Sequence, residues 1–258
     1  MGESPRWWRG RLWVCDWGAR EIVALDGRGA RVNTYPVPFD LPFCIDVTPD
    51  GEFLVVDGRS ARVLRMDFSG SLKVFADLSK ISAGPWNEIV VDGHGNAYAN
   101  TSDAIALITP DGKARRVADG GQFPNGMALT PDGRTLLLAE SHGNCITAFD
   151  RSPDGALSGR RAWAKLDGPP DGICLDTDGA VWYADVPNQR CRRVAEGGQV
   201  LATVEVDRGC FSCALGGDDG RTLFIVANEW RGMNKIAEVA AEKTGRILTV
   251  AAPSPGAK

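Results

Sequence analysis

Two stretches of the chain carry the same phrase with one polar residue exchanged. Residues 168–185 read GPPDGICLDTDGAVWYAD and residues 123–140 read FPNGMALTPDGRTLLLAE, so Asp171 and Asn125 hold equivalent places. Each stands just ahead of a short apolar run, which an Asp-Gly turn joins to a second run. Anchored on the turn glycine, the phrase recurs at Gly10, Gly51, Gly95, Gly133, Gly179 and Gly220. Eight residues before the anchor lie Phe43, Asn87, Asn125, Asp171 and Ser212, and in the first copy Glu3 is displaced by one. Two carboxylates, two amides and a hydroxyl brought face to face repel, unless one carboxyl stays protonated or a counter-charge enters. A divalent cation resolves the conflict and uses every oxygen. The set holds no thiolate or imidazole, so calcium is the expected ion, with magnesium and manganese as alternatives and zinc less natural. Without an ion, the same side chains would simply hydrogen-bond around channel water.

For residues so far apart in sequence to meet, the elements that carry them must converge. The anchors are separated by 41, 44, 38, 46 and 41 residues. After each comes a β-rich run: LWVCD, FLVVD, AYAN, TLLLAE, VWYAD and TLFIVAN. Further strand-like segments, such as 21–25, 63–66, 105–108 and 146–149, lie between them, punctuated by Gly, Pro, Asp and Ser. Only 236–243 has a hint of helical period. About four strands in a repeat of about 40–45 residues is the pattern of a propeller blade. The expected architecture is therefore all-β: a six-bladed β-propeller with four-stranded blades, forming one domain over residues 1–258. The first strand of each blade would line the axial channel, and the residues just ahead of it would ring one mouth.

The bulk composition excludes several partners. With a net charge of −4 and scattered Lys and Arg, the chain has no basic face for nucleic acid. No run approaches the roughly 18 apolar residues of a membrane span, and no signal-peptide layout opens the chain. The seven cysteines lack zinc-finger spacing around the Cys210–Cys213 pair. They read as buried thiols of a reducing cytoplasm. The expectation is a cytoplasmic monomer or small homo-oligomer acting on a small molecule. Of the two histidines, His94 falls in a hairpin turn and His142 in a loop within reach of the channel mouth. Neither a G-x-S-x-G elbow nor a phosphate-binding glycine loop is present.

Five motifs carry a family resemblance: GESPRW at 2–7, WNEIVVD at 86–92, FPNGMALTPDG at 123–133, PPDGICLDTDG at 169–179 and CFSCALGGDDGRTLF at 210–224. Together they resemble the senescence marker protein / gluconolactonase / luciferin-regenerating enzyme family over essentially the whole chain. The resemblance implies a six-bladed propeller with one divalent metal at the channel mouth, and hydrolysis of sugar lactones in many members. Carried over by position, it makes Glu3, Asn125 and Asp171 the metal ligands and Asn87 a substrate-contacting amide. The lactone carbonyl would then be polarised at the ion while Asp171 acts as general base for the attacking water. Two other readings use the same site: a phosphotriesterase-type hydrolase, and a metal-binding scaffold without catalysis.

Three departures from the family pattern shape the expectations. An arginine that often precedes the amide is replaced by Trp86. Trp86, Phe43 and His142 therefore join Asn87 as candidate substrate contacts in a pocket more apolar than a sugar site, with Phe211 and Trp230 either near it or in the core. Only Met1 and Gly2 precede Glu3, so the last blade is expected to lack a strand or to be closed by the C-terminal tail. An insertion at 228–245, with a short helix, is expected to cover one rim.

Overall fold

Six left-handed turns set the plan of the protein, seen here in a computed structural model that describes residues 1–257. All six anchor glycines have φ between +67° and +94°, a region that glycine enters without a Cβ clash. Each joins the first and second strands of an antiparallel meander. Five meanders have four strands, at 2–36, 43–77, 88–119, 124–165 and 170–205. The innermost strands are Gly2–Trp8, Phe43–Val47, Glu88–Val91, Pro124–Leu129, Pro170–Leu175 and Gly209–Gly216. Each packs on the next and the sixth packs on the first, which closes a ring around one axis. This is the expected six-bladed propeller.

The sequence of each strand follows its distance from the axis. Second strands such as Phe53–Asp57, Ala97–Asn100 and Val181–Asp185 are buried throughout, because blades cover both of their faces. Fourth strands such as Arg31–Pro36 and Val200–Glu205 alternate between exposed and half-buried residues. The core is accordingly a set of wedges between blades. Trp13, Phe43 and Phe53 fill one wedge, and Leu54, Val56, Trp86 and Ile89 fill the next.

The sixth blade keeps only Gly209–Gly216, Thr222–Asn228 and Arg246–Ala251. The C-terminal tail passes this blade and reaches blade 5, where Thr177 N–H donates to the Pro255 carbonyl at 2.9 Å and Ala257 N–H to that of Leu175 at 2.9 Å. Between its last two strands the insertion forms a 3-10 turn, Met233–Lys235, and a short helix, Ile236–Ala241. Among the described residues, no helix is long and apolar enough to cross a membrane. All seven cysteines are free thiols.

Four innermost strands share an irregularity at one end. The pairing register shifts between Glu3 and Arg6, Pro124 and Met127, Pro170 and Ile173, and Cys210 and Ser212. An inserted residue bends a strand and re-aims its side chains. Here it turns Asn125, Asp171 and Phe211 toward the axis. The glycine after Asn125 follows from the crowding this creates. A Cβ on Gly126 would lie 2.6 Å from the Ile173 nitrogen and 2.7 Å from the Asp171 carbonyl oxygen, both backbone atoms. Gly126→Ala is therefore expected to cost about 2–3 kcal/mol, measurable as a lower urea midpoint with an unchanged slope.

Candidate metal centre and cavity

Where the shifted strands gather, a cavity of about 410 Å³ opens. Glu3, Asn87, Glu88, Asn125 and Asp171 supply most of its polar lining. Hydrogen bonds that run from blade to blade fix the two amides. Asn87 Nδ2 donates to Asn125 Oδ1 at 3.1 Å and to the Pro124 carbonyl at 3.4 Å. Asn125 Nδ2 donates to Ser141 Oγ at 3.3 Å, and Ser141 Oγ donates to the Pro170 carbonyl at 2.7 Å. Asn100 Nδ2 donates to the Asn125 carbonyl at 2.6 Å, tying blade 3 to the bulge of blade 4. These bonds fix one orientation of each amide.

The carboxylates are less comfortable. Glu3 is buried, and among the described residues the only hydrogen bond to its carboxylate is a long one of 3.4 Å from the Ser4 N–H. Burial pushes its proton affinity well above the ordinary carboxylate range, and the nearby charges of Asp171 and Glu88 add to the effect. Asp171 is raised in the same way, by burial first and then by Glu88, with the Asn125 amide working in the opposite direction. Among the ion pairs of the described residues, neither Glu3 nor Asp171 has a cationic partner. Glu88 has one. Its Oε1 accepts from Arg6 Nη2 at 3.0 Å, from Ser4 Oγ at 3.3 Å and from its own neighbour's N–H at 2.8 Å. Burial works against charge on Arg6, but Glu88 and Asp46 outweigh it and hold the guanidinium firmly protonated.

Two unpaired carboxylates, Glu3 buried and Asp171 half-buried, beside an amide oxygen form a hard donor set, and that set fits a hard divalent cation. Among the described residues, no three His, Cys, Asp or Glu side chains gather at one point suited to a metal ion. An ion here would draw on Glu3, Asp171 and the neutral Asn125 oxygen.

The other candidates from the sequence lie elsewhere. Trp86 is wholly buried between blades 2 and 3, among Cys44, Leu54 and Ile89, and does not line the cavity. Phe43 is also wholly buried, edge-on to Phe39 at 5.6 Å; only its carbonyl bears on the site, accepting from the Trp17 indole at 2.6 Å. His142 is exposed and stacks on Phe123 at 4.6 Å, so it braces the rim from outside. Ser212 packs under Gly172 while its neighbour Phe211 enters the cavity. Sequence reasoning passed over Arg6, Glu88, Asn100 and Ser141. For Glu88 a signal was present, because a glutamate in a four-residue inner strand needs a buried partner.

Comparison with known proteins agrees with this architecture. The SMP-30/Gluconolactonase/LRE-like region matches residues 1–229. The 6-deoxy-6-sulfogluconolactonase of Pseudomonas putida is 25% identical over 260 residues, covering 94% of this chain and 87% of that protein. Regucalcin of Danio rerio is 27% identical over 246 residues, covering 88% and 82%. A solved luciferin-regenerating enzyme superposes with a TM-score of 0.83 at 17% identity, over 100% of this chain and 93% of the other, a likeness of fold. With the family pattern running from the first strand into the sixth blade, the chain belongs to the SMP-30/gluconolactonase/LRE-like family.

Proposed function

We propose that the protein is a lactone hydrolase, with Glu3, Asn125 and Asp171 holding one divalent cation and Asp171 serving as general base. The observation that carries the reading is the pair of like-charged carboxylates, Glu3 and Asp171, that share one cavity and form no ion pair among the described residues, the chain's amino terminus only partly offsetting Glu3. The relative named as a sulfogluconolactonase supports the opening of a cyclic ester. The donor chemistry favours calcium. When bound, the ion contributes Lewis acidity toward an ester carbonyl and stabilises charge developing on its oxygen.

The remaining work falls to the chain. Asp171 accepts a proton from the attacking water at a carboxylate oxygen and returns it to the departing alkoxide. Asn87 commits its N–H group to Asn125 and Pro124, which leaves its carbonyl oxygen to accept from the water or from a substrate hydroxyl. The hydrogen-bonded file through Asn125, Ser141 and Pro170 holds these groups in place before substrate arrives. The surrounding apolar wall keeps bulk water from the ester.

A pH-indicator assay tests the reading, with lactones and paraoxon-like esters offered to chelator-treated protein resupplied with calcium, magnesium, manganese or zinc. Lactone opening that appears with an added ion and vanishes on chelation is expected. Faster turnover of phosphotriesters, or no lactone opened with any of the four ions, would overturn it.

A further inference from the structure

We infer that the substrate is a lactone bearing a hydrocarbon or aromatic substituent, not a polyhydroxylated sugar lactone. The inference rests on the hydrolase reading above and concerns the cavity beyond the acid and amide cluster.

That outer part is walled by carbon. Trp17, Leu41, Val186, Phe211, Trp230 and Ile236 reach it from blade 1, the connection to blade 2, the edge of blade 5, blade 6 and the insertion. Convergence from separate elements makes one apolar cluster, in which Phe211 meets Trp230 edge-on at 5.7 Å. The indole N–H of Trp17, the one polar atom of its ring, is taken by the Phe43 carbonyl at 2.6 Å. Only ring carbon is left to face a ligand.

Groups that would receive sugar hydroxyls are scarce. Outside the cluster of Glu3, Asn87, Glu88, Asn125 and Asp171, the ionisable or hydrogen-bonding side chains of the lining are Ser4, Ser102, Arg59, Cys44 and the indoles of Trp17 and Trp230. Ser4 Oγ is engaged by Ile45 and Glu88. Arg59 is exposed and donates its Nε to the Leu41 carbonyl at 2.7 Å. Trp86 precedes Asn87 and faces away into the core. Against the carbon wall, the several hydroxyls of a sugar would find fewer partners than water offers them. A hydrocarbon loses none and gains by leaving water. Met233, 55% exposed at the edge of the insertion, adds an unbranched side chain that adapts to substituents of different length.

The test compares kcat/KM on calcium-loaded protein for γ-butyrolactone, its 4-alkyl derivatives up to γ-decalactone, a 4-phenyl lactone and glucono-δ-lactone. The expected series rises about three- to fourfold per methylene until the cavity fills. γ-Decalactone should exceed glucono-δ-lactone by about 100-fold or more. Met233→Asp should lower kcat/KM for γ-decalactone about tenfold more than for γ-butyrolactone. Binding is read independently of turnover, as the change in intrinsic tryptophan fluorescence, lost in Trp230→Phe, when 4-hydroxydecanoate, the opened product, is added. Preference for glucono-δ-lactone overturns the inference and leaves the hydrolase reading standing. Binding of 4-hydroxydecanoate without turnover of any lactone overturns the hydrolase reading and supports an apolar ligand. Neither binding nor turnover overturns both.

Discussion

Asp171→Asn is expected to lower kcat for lactone opening by about 10³-fold or more and, in ion-free protein at pH 8, to raise stability. The two effects have one cause. Asp171 shares its enclosure with Glu3 and feels Glu88, so its charge is costly until a cation arrives. An amide of the same shape removes that charge and with it the base. Both acids bind protons more tightly folded than unfolded, so their contribution to stability is full below the ordinary carboxylate range. It is lost as pH rises through the elevated values. The gain from Asp171→Asn should thus be on the order of 1 kcal/mol at pH 8 and near zero at pH 4. Urea unfolding with chelator at the two pH values measures it, and initial rates measure the catalytic loss. Turnover within tenfold of the parent would remove Asp171 from the role of base.

The turns were the most readable part of the chain. A left-handed turn admits little besides glycine, so Gly10, Gly51, Gly95, Gly133, Gly179 and Gly220 announced six blades and their phase. Counting back eight residues led into the cavity at Asn87, Asn125 and Asp171, but to buried positions at Phe43 and Ser212. Register and strand start together explain the difference: blade 3 has no shift either, but Asn87 lies just ahead of its inner strand, whereas Phe43 is paired within its own. Blade 2 has no shift in its inner hairpin, so Phe43 turns to Phe39 and Cys44 lines the cavity. Blade 6 shifts between Cys210 and Ser212, which sends Phe211 inward. Glu3 stands at the paired residue where the blade-1 shift begins, one place ahead of its counterparts, and its longer side chain still reaches the cavity. A bulge leaves no mark in composition or periodicity, because it changes only which residue faces a partner.

The charge balance of the site was still less legible. Arg6 and Glu88 are 82 residues apart, on innermost strands of blades 1 and 3, and only the closed ring brings them together. Their pairing matters because it gives Glu88 a cationic partner that partly offsets its burial, and leaves Glu3 and Asp171 as the acids without one among the ion pairs of the described residues. Trp86 shows the opposite failure. Its place beside Asn87 suggested a role at the mouth, yet in the loop ahead of the inner strand it packs between blades 2 and 3 against Cys44, Leu54 and Ile89.

Removal of divalent ions should lower the melting temperature, and by more at pH 8 than at pH 5. An ion that binds only the folded state stabilises it by about 2.7 kcal/mol when present at about 100 times its dissociation constant. For a chain of this size that corresponds to roughly 5–10 °C. Protons compete for the same oxygens: burial and mutual repulsion raise the proton affinities of Glu3 and Asp171, so both acids are occupied by protons at the acid end and hold an ion poorly there. As pH rises, the ion-free protein loses the stability linked to those protons while the ion-loaded protein gains its ligand, and the two melting curves separate. Glu3→Gln should bring them together again, because the amide no longer titrates and offers a neutral oxygen in place of a charged one. It should do so without disturbing the file from Asn87 through Asn125 to Ser141, in which Glu3 takes no part. Melting curves with calcium and with chelator, at both pH values and for both proteins, decide the matter. Equal shifts in the parent and in Glu3→Gln would mean that an ion, if bound, is held somewhere other than at the shared mouth of the six blades.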